Sequence, residues 1–165
     1  MDEIEVRTTV RRPPEAVFRV LRDFRSYPAY SKHLRAVDAD GDGGVGTAYR
    51  LRFGWWKLTY DAHTRVTDVV APTRLDWEVT RDIAASGRWL VEEAPEGHSE
   101  VRFVVEYDPD SVSPSVVDLP RLVSIDWVVD TVVDLIEAEG RRVVERVVAD
   151  LEGESRPVEL TVDYR

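Results

Sequence analysis

Residues 12–30, Arg-Pro-Pro-Glu-Ala-Val-Phe-Arg-Val-Leu-Arg-Asp-Phe-Arg-Ser-Tyr-Pro-Ala-Tyr, decide how the chain is read. They lead out of an alternating segment into a proline-opened helix and then an aromatic corner. Pro14 suits a first helical turn, where the N–H it lacks would have no intrahelical partner. Glu15 lies at the positive end of the helix dipole, and Val17, Phe18, Leu21 and Phe24 recur at helical spacing. A short amphipathic helix is the expectation. Ser26 is placed to cap a second helical turn through Tyr27, Pro28 and Tyr30.

Working outward, Ile4, Val6, Thr8 and Val10 alternate with Glu5, Arg7 and Thr9, the period of a half-buried strand. Downstream, Leu34 to Val37 reads as a strand before the Gly-rich Asp38–Gly46 reversal. Tyr49, Leu51 and Phe53 alternate with Arg50 and Arg52, Gly54-Trp55-Trp56 punctuates, and Leu58, Tyr60, Ala62, Thr64 and Val66 return as the second arm of a hairpin. Leu75, Trp77 and Val79 form the next alternating set, then Arg88–Glu92, then Val101, Phe103, Val105 and Tyr107, with turns at Ala71-Pro72 and Pro95-Glu96-Gly97. Short connections favour an antiparallel meander whose single apolar face needs a cover. From about Leu119 to Leu151, Leu122, Ile125, Val129, Val132, Val133, Ile136, Val143, Val144, Val147 and Leu151 fall on one side of a helix long enough to provide it. Gly140 interrupts that stripe, which implies a bend, room for something to approach, or close packing. Beyond Gly153, Val158, Leu160, Val162 and Tyr164 alternate again, as an added edge strand or a loose tail.

This order, with the pattern P-x-x-V-[FW]…D-[FY]-x-x-[YW]-P carried by Pro14, Val17, Phe18, Asp23, Phe24, Tyr27 and Pro28, resembles the START-like superfamily (SRPBCC, helix-grip), in its polyketide-cyclase and coenzyme-Q-binding branches, from about Ile4 to Leu151. The resemblance implies an α+β helix-grip fold. Six or seven curved antiparallel strands, two short helices and a long C-terminal helix would enclose an apolar cavity, with residues 1–153 as the ligand-binding domain and 154–165 as a tail or added strand.

Composition narrows the chemistry. The 165 residues suffice for one domain with a real core, and the formal charge of −10 disfavours nucleic acid and anionic membrane faces as main partners. Cysteine is absent, which removes disulfides, thiolate catalysis and Cys-based zinc sites, while His33, His63 and His98 are scattered. No stretch approaches the roughly 20 apolar residues of a membrane span, and the N-terminal segment has no apolar signal core, so a cytoplasmic protein without stable membrane insertion is expected. Only Lys32 and Lys57 are lysines among many Arg, Asp, Glu and Val, a bias resembling proteins adapted to concentrated salt.

Asp38-Ala-Asp-Gly-Asp-Gly opens like an EF-hand loop, but Tyr49 stands at the twelfth position and strands flank it, so an acidic hairpin loop is the better reading. Gly43-Gly-Val-Gly lacks the Gly-Lys-Ser/Thr ending of a phosphate loop. No triad, carboxylate pair, metal cluster or cofactor motif can be assembled, and Arg50, Arg52 and Arg88, on alternating strand positions, are expected to face solvent. The candidate ligand-binding residues are therefore Tyr30, Phe53, Tyr60, Trp77, Trp89 and Phe103, opposite Asp126, Val129, Val133 and Ile136 of the long helix. The leading expectation is binding or transfer of a hydrophobic small molecule such as a lipid, isoprenoid, quinone or polyketide-like aromatic. The alternatives are a cyclase or dehydratase on the same scaffold, and a protein-interaction module using Trp127, Val128 and Leu135. Trp55 and Trp56, at a hairpin tip, could close a mouth or meet a partner.

Overall fold

A computed structural model describes residues 1–55, 58–111 and 125–165, with the side chains of 55, 58, 125–133 and 135–137 outside that description. Strand β1 (Asp2–Val10) leads into helix α1 (Pro14–Leu21), which buries Val17, Phe18 and Leu21 and carries Pro14 and Glu15 in its first turn. The corner that follows, Phe24–Ala29, is a 3-10 helix, so the expected second helical turn is present, but Asp23 stands at its N-cap and Ser26 lies inside it. The Ser26 hydroxyl donates to the Asp23 carbonyl at 2.7 Å, and Pro28 supplies no N–H to lengthen the segment.

Six strands then run in sequence: β2 (Leu34–Asp40), β3 (Ala48–Trp55), β4 (Leu58–Val70), β5 (Arg74–Val79), β6 (Ala84–Ala94) and β7 (His98–Asp108). Helix α2 (Ile125–Glu152) and strand β8 (Thr161–Tyr164) complete the described elements. Among the described residues eight strands form one antiparallel sheet in the order β2-β3-β4-β5-β6-β7-β1-β8, compatible with about six or seven strands and an added one from the tail. The additional strand is the tail itself, with Val162 opposite Val6 and reciprocal backbone bonds of 2.8 and 2.9 Å between Glu3 and Arg165. The meander expected from short connections is thus present, and the matching long helix with it. The segment 119–124, where that helix was expected to begin, lies outside the described residues.

Register assigns the two faces. Ile4, Val6, Thr8 and Val10 share one side with Val101, Phe103 and Val105, with Gly87, Trp89 and Val91, with Leu75 and Trp77, and with Tyr60, Ala62, Tyr49, Leu51 and Phe53. Burial along this inward face is graded. At the end nearest α1, Val10, Tyr49, Val66, Leu75, Val91 and Val101 are buried and pack with Phe18, Phe24, Val148 and Val158. Toward the other end, Trp77, Trp89, Phe103 and Tyr60 are only half-buried, and Phe53 is 38% exposed. Gly140 lies within the unbroken α2, and a Cβ there would meet nothing within 4 Å among the described residues, so close packing does not account for it.

The outward face is charged. Arg52 meets Asp61 directly across the strands at 3.2 Å, Arg50 meets Asp38 with its Nε at 3.1 Å, and Arg65 pairs with Glu78. These contacts are close, whereas the surplus charge of −10 acts over longer distances. A Debye length of about 10 Å at 0.1 M salt therefore screens the repulsion before it screens the pairs. The denaturation midpoint is expected to rise from dilute to physiological monovalent salt; a flat or falling series removes the case for salt adaptation.

Candidate functional site

Five of the candidate residues, Phe53, Tyr60, Trp77, Trp89 and Phe103, come from five different strands yet share the inward face. Pairing sets Phe53 opposite Tyr60 and Trp89 opposite Phe103, and places Trp77 two residues along, opposite Gly87. The Trp89 and Phe103 ring centroids are 4.4 Å apart, and Trp77 and Phe103 lie 6.2 Å apart at an interplanar angle of 24°, within the range where aromatic pairs attract.

The corner after α1 supports this row. The Tyr27 hydroxyl donates to the Leu21 carbonyl and lies beside the Trp89 indole. Burial of that hydroxyl pushes the Tyr27 phenol well above its ordinary pKa. Tyr27 also packs on Phe24 at 4.9 Å, and Phe24 on Tyr49 at 4.6 Å, so the packed core and the aromatic row are continuous.

Tyr60 places its hydroxyl 3.5 Å from Asp82 Oδ2. Asp82 sits in the β5–β6 turn at φ +78°, a left-handed conformation that Asp tolerates better than most residues. Burial, and then the Asp82 carboxylate, raise the Tyr60 pKa to about 12, so the phenol stays protonated and can donate a hydrogen bond at neutral pH. Tyr30 is placed differently: its hydroxyl donates to Asp150 and its carbonyl accepts from Arg146 Nη1 at 2.9 Å, which ties the corner to α2. Burial and the Asp150 hydrogen bond likewise raise its pKa to about 12.

Asp126, Val129, Val133 and Ile136 are backbone positions of α2, but their side chains lie outside the described residues, as do those of Trp55, Trp127, Val128 and Leu135; Trp56 lies outside altogether. Arg50, Arg52 and Arg88 are exposed as expected, and His63 is half-buried. Clefts open among the described residues, two of which bear on the candidate residues and their surroundings. One of about 530 Å³ lies between the start of α1 and the ends of β4, β5 and β6, and includes Pro14, Val70, Pro72 and Val91. The other, about 500 Å³, is lined by Arg52, Thr59, Tyr60, Asp61, His63 and Asp82. Trp77, Trp89 and Phe103 border neither.

Sequence reading missed three contributors: Gly87, Asp82 and Tyr27 in its role as partner of Trp89. Only Gly87 carried a usable signal. A glycine inside a strand pattern often marks close approach of another group, and here a Cβ would fall 2.2 Å from Trp77 Cζ2.

Solved structures share this architecture. The ZhuI aromatase/cyclase from a Streptomyces species superposes with a TM-score of 0.67 at 14% identity, covering 92% of this chain and 94% of its own. A protein of Thermus thermophilus matches with a TM-score of 0.65 at 14% identity, covering 92% and 97%. The di-domain aromatase/cyclase BexL gives 0.62 at 14% identity over 94% of this chain and 51% of its own. No curated protein matches the sequence closely enough to count as a relative. Among the described residues, no helix is long and apolar enough to cross a membrane. The family model described as polyketide cyclase / dehydrase and lipid transport matches residues 1–152, so the helix-grip architecture and the aromatic inward face are those of a chain that belongs to that family.

Proposed function

We propose that the inward face of the sheet binds a hydrophobic small molecule, for carriage or transfer, in a cavity bounded by the strand aromatics and α2. The observation that carries this reading is the burial gradient: five large aromatics face inward from five strands, yet none is among the fully buried residues. Aromatic rings facing the interior are ordinarily closed over, because each buries about 150–250 Å². Rings left half-covered on the inner side of a sheet suit an apolar ligand that completes their burial. Tyr60, whose single O–H is directed to Asp82, would orient such a ligand by accepting one hydrogen bond at the far end. The charge of −10 favours a neutral apolar partner over nucleic acid, and we place the activity in the cytosol.

Native mass spectrometry after gentle purification, with extraction of any retained apolar molecule, is the direct test. A second is titration with Nile red. Trp89→Ala and Phe103→Ala are each expected to weaken that dye about tenfold, the equivalent of about 1.4 kcal/mol of lost ring contact. Unchanged affinity in both variants would remove these rings from any binding site. A cyclase or dehydratase reading rests on Tyr60 and Asp82. It requires that Tyr60→Phe abolish turnover of a polyketide-like substrate while leaving dye affinity nearly intact.

A further inference from the structure

Trp77 does not stand up from the sheet; it lies down across a neighbouring strand. Gly87 faces it in register, and a Cβ built on Gly87 would fall 2.2, 2.5 and 2.8 Å from Cζ2, Cε2 and Cη2 of the indole. The benzo ring of Trp77 therefore rests on the backbone of β6, in space that only glycine leaves open. From there it reaches toward β7, which explains its shallow 24° angle to Phe103. Val66 flanks Trp77 on the β4 side and the sheet backbone lies beneath, so an indole displaced from Gly87 can neither sink nor move toward β4 and rises off the inward face.

We propose that Gly87 is the specificity-determining residue of this face. By letting Trp77 lie flat it sets the height of the floor, and so selects for ligands thick enough to need that depth. This rests on the ligand-binding reading above. An alanine at 87 cannot be accommodated by bending the tip of a flexible chain, because the clashing atoms belong to a rigid bicyclic ring. The whole side chain must rotate, and the room it enters is the room the ligand would use. Trp77 and Gly87 thus act as one unit, and a second substitution that shortens Trp77 should cancel the first.

The test compares two probes on the intact chain: Nile red, a broad fused-ring dye, and cis-parinaric acid, a slim polyene chain. Gly87→Ala is expected to weaken Nile red at least about tenfold and leave cis-parinaric acid within about twofold. Gly87→Ala/Trp77→Leu is expected to bind the dye as Trp77→Leu alone does, so that Gly87→Ala costs nothing further once the indole is gone. Near-ultraviolet circular dichroism gives a readout independent of ligand, since the Trp77 band should change in Gly87→Ala and the Trp77→Leu background should be insensitive to the same substitution. Equal loss of both probes, no loss of either, or a dye affinity of the double variant well below that of Trp77→Leu would overturn the assignment while leaving the binding site in place. A parent chain that binds neither probe would overturn the ligand-binding reading and the specificity role with it. Should Gly87→Ala not fold, Gly87→Ala/Trp77→Phe, with a smaller ring lifted, carries the same comparison.

Discussion

Phe24→Ala is expected to destabilise the protein by about 3–5 kcal/mol, while Phe103→Ala costs about half as much, although both remove the same ring. Phe24 is 4% exposed and is gripped between Tyr27 and Tyr49, so truncation leaves a cavity among well-packed neighbours. Phe103 is half-buried, and its ring contacts on the inward side are Trp89 and Trp77. Each kcal/mol shifts the melting temperature of a domain this size by about 2–4 °C, so the two variants should be distinguishable in a single set of thermal or urea melts. Equal losses would mean that the inward face is one continuous packed core. The contrast also bears on function, because added apolar ligand should raise the midpoint of the parent by more than that of Phe103→Ala.

The second large effect lies where α2 ends. Glu152 accepts from Arg156 Nε at 2.7 Å and Nη2 at 2.9 Å, and from the Arg11 backbone N–H at 2.9 Å; its side chain is 5% exposed. Arg156 also donates to the Thr9 carbonyl at 3.1 Å. One ion pair thereby joins the helix end, the end of β1 and the chain leading to β8. Arg156→Met leaves the carboxylate without its charged partner, and a loss of about 3 kcal/mol is expected, at the lower end for a buried pair because the Arg head is still partly wetted. The Arg156 hydrogen bond holds the Glu152 carboxyl below its usual pKa, outweighing the opposing effect of burial. With the folded value depressed, its contribution is complete above the unfolded value near 4.5 and disappears as pH falls through the folded one. Stability profiles of the parent and Glu152→Gln should therefore differ at neutral pH and converge in strong acid. Parallel profiles would show that the pair contributes nothing through its charge.

What the chain reveals by itself follows from the range over which each signal acts. Pro14, Val17, Phe18 and Leu21 are local and periodic, and α1 appears where they place it. The alternating sets at 49–53, 75–79 and 101–107 likewise gave strands and a correct inward face, because a period of two fixes which side a residue takes. Strand β6 is longer than its apolar pattern suggests: Ala-Ala-Ser-Gly at 84–87 has little alternation, and it is pairing with β5 on one side and β7 on the other that extends it. The corner forms the short helix its composition suggests, but it starts at Phe24, two residues ahead of Ser26, which resembles a cap and lies inside it. Tyr30 was grouped with the strand aromatics, but its hydroxyl engages Asp150, a partner 120 positions away that no local pattern announces. Asp82, 22 positions from Tyr60, belongs to the same class of contact, as does the bond from the Arg11 N–H to Glu152, whereas Glu152 and Arg156 stand at i,i+4 spacing.

The reciprocal bonds between Glu3 and Arg165 place the two ends of the chain side by side on neighbouring strands. A short linker could therefore close the polypeptide into a ring without disturbing the sheet, and the Gly-rich reversal at 41–46, mostly exposed, offers a site to open it again. In such a permuted chain β1 and β8 would become a hairpin local in sequence, and the most distant pairing in the molecule would turn into one of its shortest loops.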